Sequence, residues 1–317
     1  MARFAETMPY AFFEGKIVPF GDARISIGTH ALQYGTGAFA GVRGYLDQDG
    51  KTINIFRLKE HAARLLRSAK LLRMNLPYDA DAISQILIDL TRKNAPEGDV
   101  YFRPFVYKAS VQLTPRLQGL DDELAVYMMP MGDYLDTQRG QNVIVSSWTR
   151  ISDNSIPSRG KITGAYINSS FAKDEAEEVG ADEAIMLSDE GKVSEGSGCN
   201  LFVVRDGVLI TPPISSDILE GITRRSLLKM AEDLGIPTEQ RTIDRSELYI
   251  VDEAFFAGTG VQIARIDKID GRPIGTPGEA PITKRLSEVF FDTVRGRNDT
   301  YRDWITPVQI PVGAASR

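Results

Sequence analysis

A chain of 317 residues is long enough for two domains of roughly 150 residues, each able to bury a core of its own. With 42% hydrophobic and 25% charged residues it has the composition of a globular protein, and its net charge of −6, without long runs of one sign, argues against nucleic acid or an anionic membrane as the main partner. One cysteine, Cys199, excludes an intrachain disulfide; two histidines, His30 and His61, form no metal-ligand pattern and make a Ser-His-Asp or Cys-His hydrolase a poor fit.

Glu6 and Glu14 interrupt the first fifteen residues, which lack the apolar core of a signal peptide, and no apolar run approaches the ~18 residues of a membrane span. A cytoplasmic location is the expectation. Tyr10–Phe13 and Lys16–Phe20 read as a hairpin, and Arg43–Arg57 as a second one around Asp49–Gly50. Leu58, Ala62, Leu65, Leu66, Ala69 and Leu72 recur at helical spacing and predict a helix over Leu58–Met74; Ile83, Ile86, Leu87 and Leu90 do the same for Ala80–Asn94. Arg64 falls on the polar face of the first of these and reads as solvated. Val100–Ala109 and Glu123–Met131, rich in β-branched and aromatic residues, predict strands.

Pro and Gly break the pattern at Met129–Gly140, the candidate linker. Beyond it come a strand at Asn142–Trp148, a helix at Gly164–Val179, and short strands at Glu183–Ser188, Asn200–Arg205 and Val208–Thr211. A helix over Ile222–Gly235 is stopped by Gly235 and Pro237. Strands at Glu253–Gly258 and Val261–Ile269 and a helix at Ile282–Arg295 follow, and the tail after Trp304 reads as loosely held. Helices and hairpins mix without a βαβ rhythm, which predicts an α+β fold divided as 1–128, a linker 129–140 and 141–317.

The stretch KITGAYINSSFAKDEAEEVGADEAIMLSDEGKVSEGSGCN, Lys161–Asn200, is the most informative. Lys161 reads either as a solvated lysine at a loop–helix junction or as the amine that forms a Schiff base with an aldehyde cofactor. Tyr166, five residues on, reads as a half-buried aromatic or as a hydrogen-bond donor to that cofactor. Glu195 either tips a Gly/Ser-rich turn between two strands or holds a pyridine nitrogen protonated, as pyridoxal phosphate chemistry requires. Cys199 is read as a small buried hydrophobe. Gly221, Ile222 and Thr223 open a helix, where free amides suit either an ordinary cap or an anion. Thr259, between two glycines at a strand end, marks either a turn or a close approach to a ligand. GTGAFAG (Gly35–Gly41) lacks Rossmann spacing, and no Walker lysine follows it.

Taken in order, HALQYGTGAFAGVRGY, FRLKEHAARLLRSAK, VYFRPF, SSWTRISDNSIPSRGK, SEGSGCNLF, LEGITRRSLL and AGTGVQIARI resemble the class IV aminotransferases, and the branched-chain amino-acid aminotransferases in particular, from about Phe12 to Phe291. The resemblance implies the two-domain type IV fold of pyridoxal 5′-phosphate enzymes, like that of D-amino-acid aminotransferase. It implies transfer of the amino group of leucine, isoleucine or valine to 2-oxoglutarate, ping-pong through pyridoxamine phosphate. It makes Lys161 the catalytic lysine, with Tyr166 on the cofactor's ring oxygen and Glu195 on its ring nitrogen. Arg64, Gly221, Ile222, Thr223 and Thr259 would hold the phosphate. Tyr34, Phe39, Gly41, Tyr101, Arg103, Met131 and Tyr134 would line the substrate pocket, with the amides of Thr259 and Gly260 and the Tyr101 hydroxyl on the α-carboxylate and Arg103 on the distal carboxylate of glutamate. A homodimer or a trimer of dimers is implied, with no metal. An (R)-selective amine transaminase and an aminodeoxychorismate-lyase-type enzyme are the alternatives on the same fold. Three departures stand out: Ala40 replaces an acid, Met131 replaces a tryptophan, and ASVQLTPRLQGLDDE replaces a Gly-rich segment.

Overall fold

The computed structural model describes residues 7–132, 135, 139–276 and 278–311, and its contacts divide the chain into two compact units. One holds the residues up to Gly132 together with Gly160–Gly164 and those from Phe291 onward; the other holds the remainder.

In the first unit, β1 (Tyr10–Phe13) and β2 (Lys16–Pro19) form the expected hairpin. Short α1 (His30–Tyr34) leads to β3 (Gly37–Phe39), then β4 (Val42–Leu46) turns back into β5 (Thr52–Phe56). The Asp49 carboxylate closes that turn, accepting the amides of Lys51 (2.7 Å) and Thr52 (2.9 Å). Helices α2 (Leu58–Leu71) and α3 (Ala80–Asn94) follow, then the long pair β6 (Val100–Lys108) and β7 (Asp122–Pro130). Leu58, Ala62, Leu65 and Ala69 bury one face of α2, and Ile83, Leu87 and Leu90 one face of α3. Asp79 caps α3 by accepting the Ala82 amide, whereas Arg57 at the head of α2 offers no side-chain cap. A missing cap costs about 1 kcal/mol, less than the about 1.5–3 kcal/mol that burial of one leucine contributes, so packing decides that α2 forms.

The tail departs from expectation. The strand Ile305–Gln309 pairs antiparallel with β5 over its whole length, so the sheet runs from this strand through β5, β4, β6, β7, β1 and β2, with β3 on β6. Pro307 is tolerated because the strand is an edge. This pairing, and a bridge from Ile162 to Ala38, tie segments from beyond residue 140 to the first unit, so the division of the chain is not the continuous one expected.

The second unit is built on β8 (Gln141–Val145), β9 (Glu183–Leu187), β10 (Val193–Gly196), β11 (Asn200–Arg205), β12 (Val208–Thr211), β13 (Thr238–Gln240), β14 (Glu253–Gly258), β15 (Gln262–Ile269) and β16 (Arg272–Pro273). Sheet order is β10, β9, β8, β15, β14, β11, β12, β13, with β16 on β15. β8 and β9 run parallel, joined through α4 (Tyr166–Glu178), and β12 and β13 run parallel, joined through α5 (Ile222–Asp233). The remaining pairs are antiparallel except β8 with β15. The fold is therefore α+β with two local crossovers that the sequence pattern did not reveal. Val143, Ile185, Leu201, Val203, Phe256 and Ile266 lie in its main core. Buried Glu253 reaches α6 (Pro281–Val294), accepting the amides of Ile282 and Thr283. Among the described residues no helix is long and apolar enough to cross a membrane.

One local reading is corrected. Glu195 stands in strand β10, all four residues of which are buried, and not in a turn; serine, glutamate and glycine mask the strand because burial here is polar. β7 runs through Pro130, which bears out the strand expected at Glu123–Met131; that strand overlaps the start of the candidate linker.

Candidate active site

The expected site residues fall into two sets, one in each unit. In the first unit, Lys161 is pinned through its backbone. Its amide donates to Ser68 Oγ on α2 (3.1 Å), and its carbonyl accepts the Phe39 amide of β3 (3.0 Å). The side chain therefore starts from a fixed point, and Nζ lies 5.2 Å from the centre of the Phe39 ring. The Arg103 guanidinium on β6 lies 4.4 Å from the centre of the same ring and 5.3 Å from that of Tyr101. Its Nη2 donates to the Tyr101 hydroxyl at 3.3 Å, while its buried Nε has no hydrogen-bond partner among the described residues. A guanidinium so placed keeps donors in reserve for a carboxylate. Gly41 makes the arrangement possible: a Cβ there would sit 2.0 Å from the Tyr101 hydroxyl oxygen.

Arg64, read as solvated from sequence, is only 6% exposed. Its carbonyl accepts Ser68 Oγ (3.1 Å), the group that also receives the Lys161 amide, so it lies one helical turn from the lysine's anchor. Helical periodicity marked the apolar stripe but carried no sign that its charged neighbour is covered too. Met131 is buried, its amide on the Asp99 carbonyl (3.0 Å) and its carbonyl accepting Arg43 Nη2 (3.2 Å). Tyr34 stands apart on α1, exposed, with its ring 4.6 Å from that of His30. Tyr134 lies outside the described residues.

In the second unit, the buried Glu195 carboxylate is the hub. Arg150 Nη2 approaches Oε1 to 3.0 Å, Asn200 Nδ2 donates to Oε2 (2.9 Å), and the Leu219 amide donates to Oε2 (3.2 Å). Arg150 is buried as well, so a full countercharge faces the carboxylate in a region of low dielectric. From there contacts lead to the other members of the set. Arg150 Nη1 donates to Ser169 Oγ (3.5 Å) in the first turn of α4, which Tyr166 opens. Asn200 Nδ2 also donates to the Leu219 carbonyl (3.0 Å), two residues before Gly221, where a Cβ would lie 2.0 Å from Asn200 Oδ1. α5 then begins without a side-chain cap, with Ile222 and Thr223 buried. Asn200 pairs with Ala257 on β14, whose end carries Thr259 and Gly260, both partly buried, in a turn. Burial pushes the Cys199 thiol well above its usual range, which leaves it inert and agrees with its reading as a small hydrophobe. Sequence reasoning missed Arg150 and Asn200; Asn200 closes the SEGSGCN block, but nothing in TRISDN shows Arg150's partner.

Taken separately, the first unit offers an amine at Lys161 that suits an aldehyde, and the second offers an uncapped helix start beside Gly221 that suits a phosphate and a carboxylate, held by a buried guanidinium, that suits a basic ring nitrogen. The family model for amino-transferase class IV matches residues 41–269. A "Probable branched-chain-amino-acid aminotransferase" from Synechocystis sp. is 46% identical over 304 residues, 96% of this chain and 98% of that protein.

The chain belongs to the class IV aminotransferases.

Solved structures agree. The branched-chain amino acid aminotransferase from Thermobaculum terrenum in its PLP form has a TM-score of 0.92 at 38% identity, covering 96% of this chain and all of that one. A T.th. branched-chain amino acid aminotransferase complexed with N-(5′-phosphopyridoxyl)-L-glutamate has a TM-score of 0.89 at 38% identity, covering 94% of this chain and 98% of that one. The span matched to the class IV aminotransferases contains Arg64, Lys161, Tyr166, Glu195, the start of α5 and Thr259, while Tyr34 and Phe39 precede it.

Proposed function

We propose that this chain is a pyridoxal 5′-phosphate-dependent transaminase that moves the amino group of leucine, isoleucine or valine to 2-oxoglutarate by a ping-pong route. The observation that carries the reading is the Phe39 ring shared by Lys161 and Arg103: a reacting amine and a carboxylate-binding cation approach one fixed aromatic side chain. The names of the relatives, and the glutamate adduct in one of them, support it.

When bound, the cofactor's pyridine ring supplies the electron sink that makes a substrate α-proton removable. Lys161 would tether the cofactor and hold a proton at its Nζ. Tyr166 donates to the ring oxygen, and Glu195, balanced by Arg150, keeps a proton on the ring nitrogen. Arg64, Gly221, Ile222, Thr223 and Thr259 hold the phosphate. The Tyr101 hydroxyl and the amides of Thr259 and Gly260 receive the α-carboxylate, and Arg103 receives the second carboxylate of glutamate or 2-oxoglutarate. Phe39, Gly41 and Met131 would bound the side chain. A homo-oligomer is part of the proposal, supported by an exposed apolar face on the first unit where Ile27 (85% exposed), Leu32, Val111 and Leu113 (85%) cluster around the Thr29–Val111 bridge. A cytoplasmic setting suits the single buried thiol.

Borohydride treatment of the loaded enzyme, followed by peptide mapping, is expected to find the cofactor fixed to Lys161. A label on any other lysine overturns the assignment. In a substrate panel, leucine with 2-oxoglutarate should yield glutamate and the branched 2-oxo acid; release of pyruvate from aminodeoxychorismate instead would make the enzyme a lyase.

The buried Met131 favours a second, slower activity on (R)-arylalkylamines. Its backbone is held at both amide and carbonyl, but its thioether adapts to differently shaped neighbours where an indole would present a rigid wall. An apolar pocket discriminates one methylene by only about 1–3 kcal/mol, so loss of a fixed wall widens acceptance. Met131→Trp is expected to lower activity on (R)-1-phenylethylamine relative to leucine about tenfold. An unchanged ratio of the two rates removes Met131 from the determinants of substrate range.

A further inference from the structure

Arg224 lies in the first turn of α5 and is only 2% exposed. Its Nε donates to Thr211 Oγ1 (3.3 Å), and its Nη2 donates to the Pro212 carbonyl (2.9 Å) and to Gln240 Oε1 (2.9 Å). All three acceptors are neutral. Burial holds this guanidinium below the usual arginine range, opposed by the charges of Glu195 and Glu220. Each of those carboxylates has a closer cation: Glu195 faces Arg150 at 3.0 Å, and Glu220 faces Arg159 at 3.3 Å in a solvent-exposed pair. Of these buried charges, then, Arg150 and Glu195 cancel, and Arg224 remains as a net positive charge at the head of a helix with no side-chain cap. A buried cation that meets only neutral acceptors is costly to keep, and neutral donors could tie α5 to β12 and β13 without that cost.

We propose that Arg224 supplies the buried positive charge that draws the phosphate dianion to the start of α5, acting through the first turn without touching the ligand. It is a positioning residue whose charge adds to the helix dipole and to the free amides at Ile222 and Thr223. The inference rests on the reading of Gly221–Thr223 as part of the phosphate site.

The test titrates apoenzyme with pyridoxal 5′-phosphate and with pyridoxal, which lacks the phosphate, and compares the ratio of the two affinities. Gln240→Glu places a carboxylate at the exposed position whose oxygen already lies 2.9 Å from Arg224 Nη2. It strengthens the tie while offsetting the charge, and is expected to lower the preference for the phosphorylated ligand about threefold or more. Arg224→Gln should lower it about tenfold or more, with pyridoxal affinity within about threefold of wild type, and Arg224→Lys should retain most of it. A purely structural role gives a different pattern. Gln240→Glu then leaves the preference unchanged, and Arg224→Gln weakens both ligands alike; either result overturns the proposal. Gln240→Glu alters no buried position, so the test survives a misfolded Arg224→Gln. Thr223→Val and Arg64→Ala act as markers for the phosphate site. An unchanged preference in both retires the phosphate reading; a lowered preference there, with none in Gln240→Glu and Arg224→Gln, retires only the role of Arg224.

Discussion

Glu195→Gln is expected to lower turnover by about 10²–10³-fold while the enzyme still retains its cofactor. Glutamine keeps the shape of the side chain, and its amide oxygen still accepts from Asn200 Nδ2 and the Leu219 amide, which hold the carboxylate at 2.9 and 3.2 Å. What disappears is the negative charge. Without it the ring nitrogen has no reason to stay protonated in a buried site, and the Arg150 guanidinium at 3.0 Å now opposes that proton. Phosphate contacts are untouched, so binding and turnover separate. The check is turnover at saturating leucine beside the absorbance of bound cofactor; turnover within twofold of wild type means Glu195 does not serve the ring nitrogen.

Arg150→Met should be the most destabilising of these changes, by about 3–5 kcal/mol in the unfolding of the apoenzyme. Arginine and glutamate are both buried here, and removing one leaves the other's charge without the countercharge that lies 3.0 Å away. Methionine replaces much of the volume, so packing loss contributes little. The double variant Arg150→Met/Glu195→Gln should regain a large part of the loss, because the uncompensated charge is gone. Urea unfolding of the four proteins measures the cycle; a single-variant loss under about 1 kcal/mol would show that the pair is not the anchor of β10.

Helices whose faces differ in polarity, and strands rich in β-branched and aromatic residues, were legible in the sequence. Stripes at Leu58–Ala69 and Ile83–Leu90 marked α2 and α3, and β-branched and aromatic content marked β6 and β7. Elements whose burial is polar were not. Val193–Gly196 looks like a turn because serine, glutamate and glycine occupy a strand covered on all sides, and Arg64 looks solvated because its cover comes from elsewhere in the fold. Arg150 shows the same limit most clearly: an ion pair spanning positions 150 and 195 has no local pattern, since neither residue's neighbours depend on the other. The site residues expected by resemblance form groups inside each unit, whereas the geometry that connects them, through Ser68, Phe39 and Asn200, is tertiary.

The pairing of Ile305–Gln309 with β5 has a consequence for synthesis. β5 leaves the ribosome roughly 250 residues before its edge partner does, a delay of about 12–50 s at 5–20 residues per second. Through that interval the first unit carries an open sheet edge made of Thr52–Phe56, with Ile53, Ile55 and Phe56 among its residues, and an open apolar edge of this kind recruits other strands. The half of the molecule that is made first is the half that is completed last, and its nascent form is the one a chaperone would have most reason to hold.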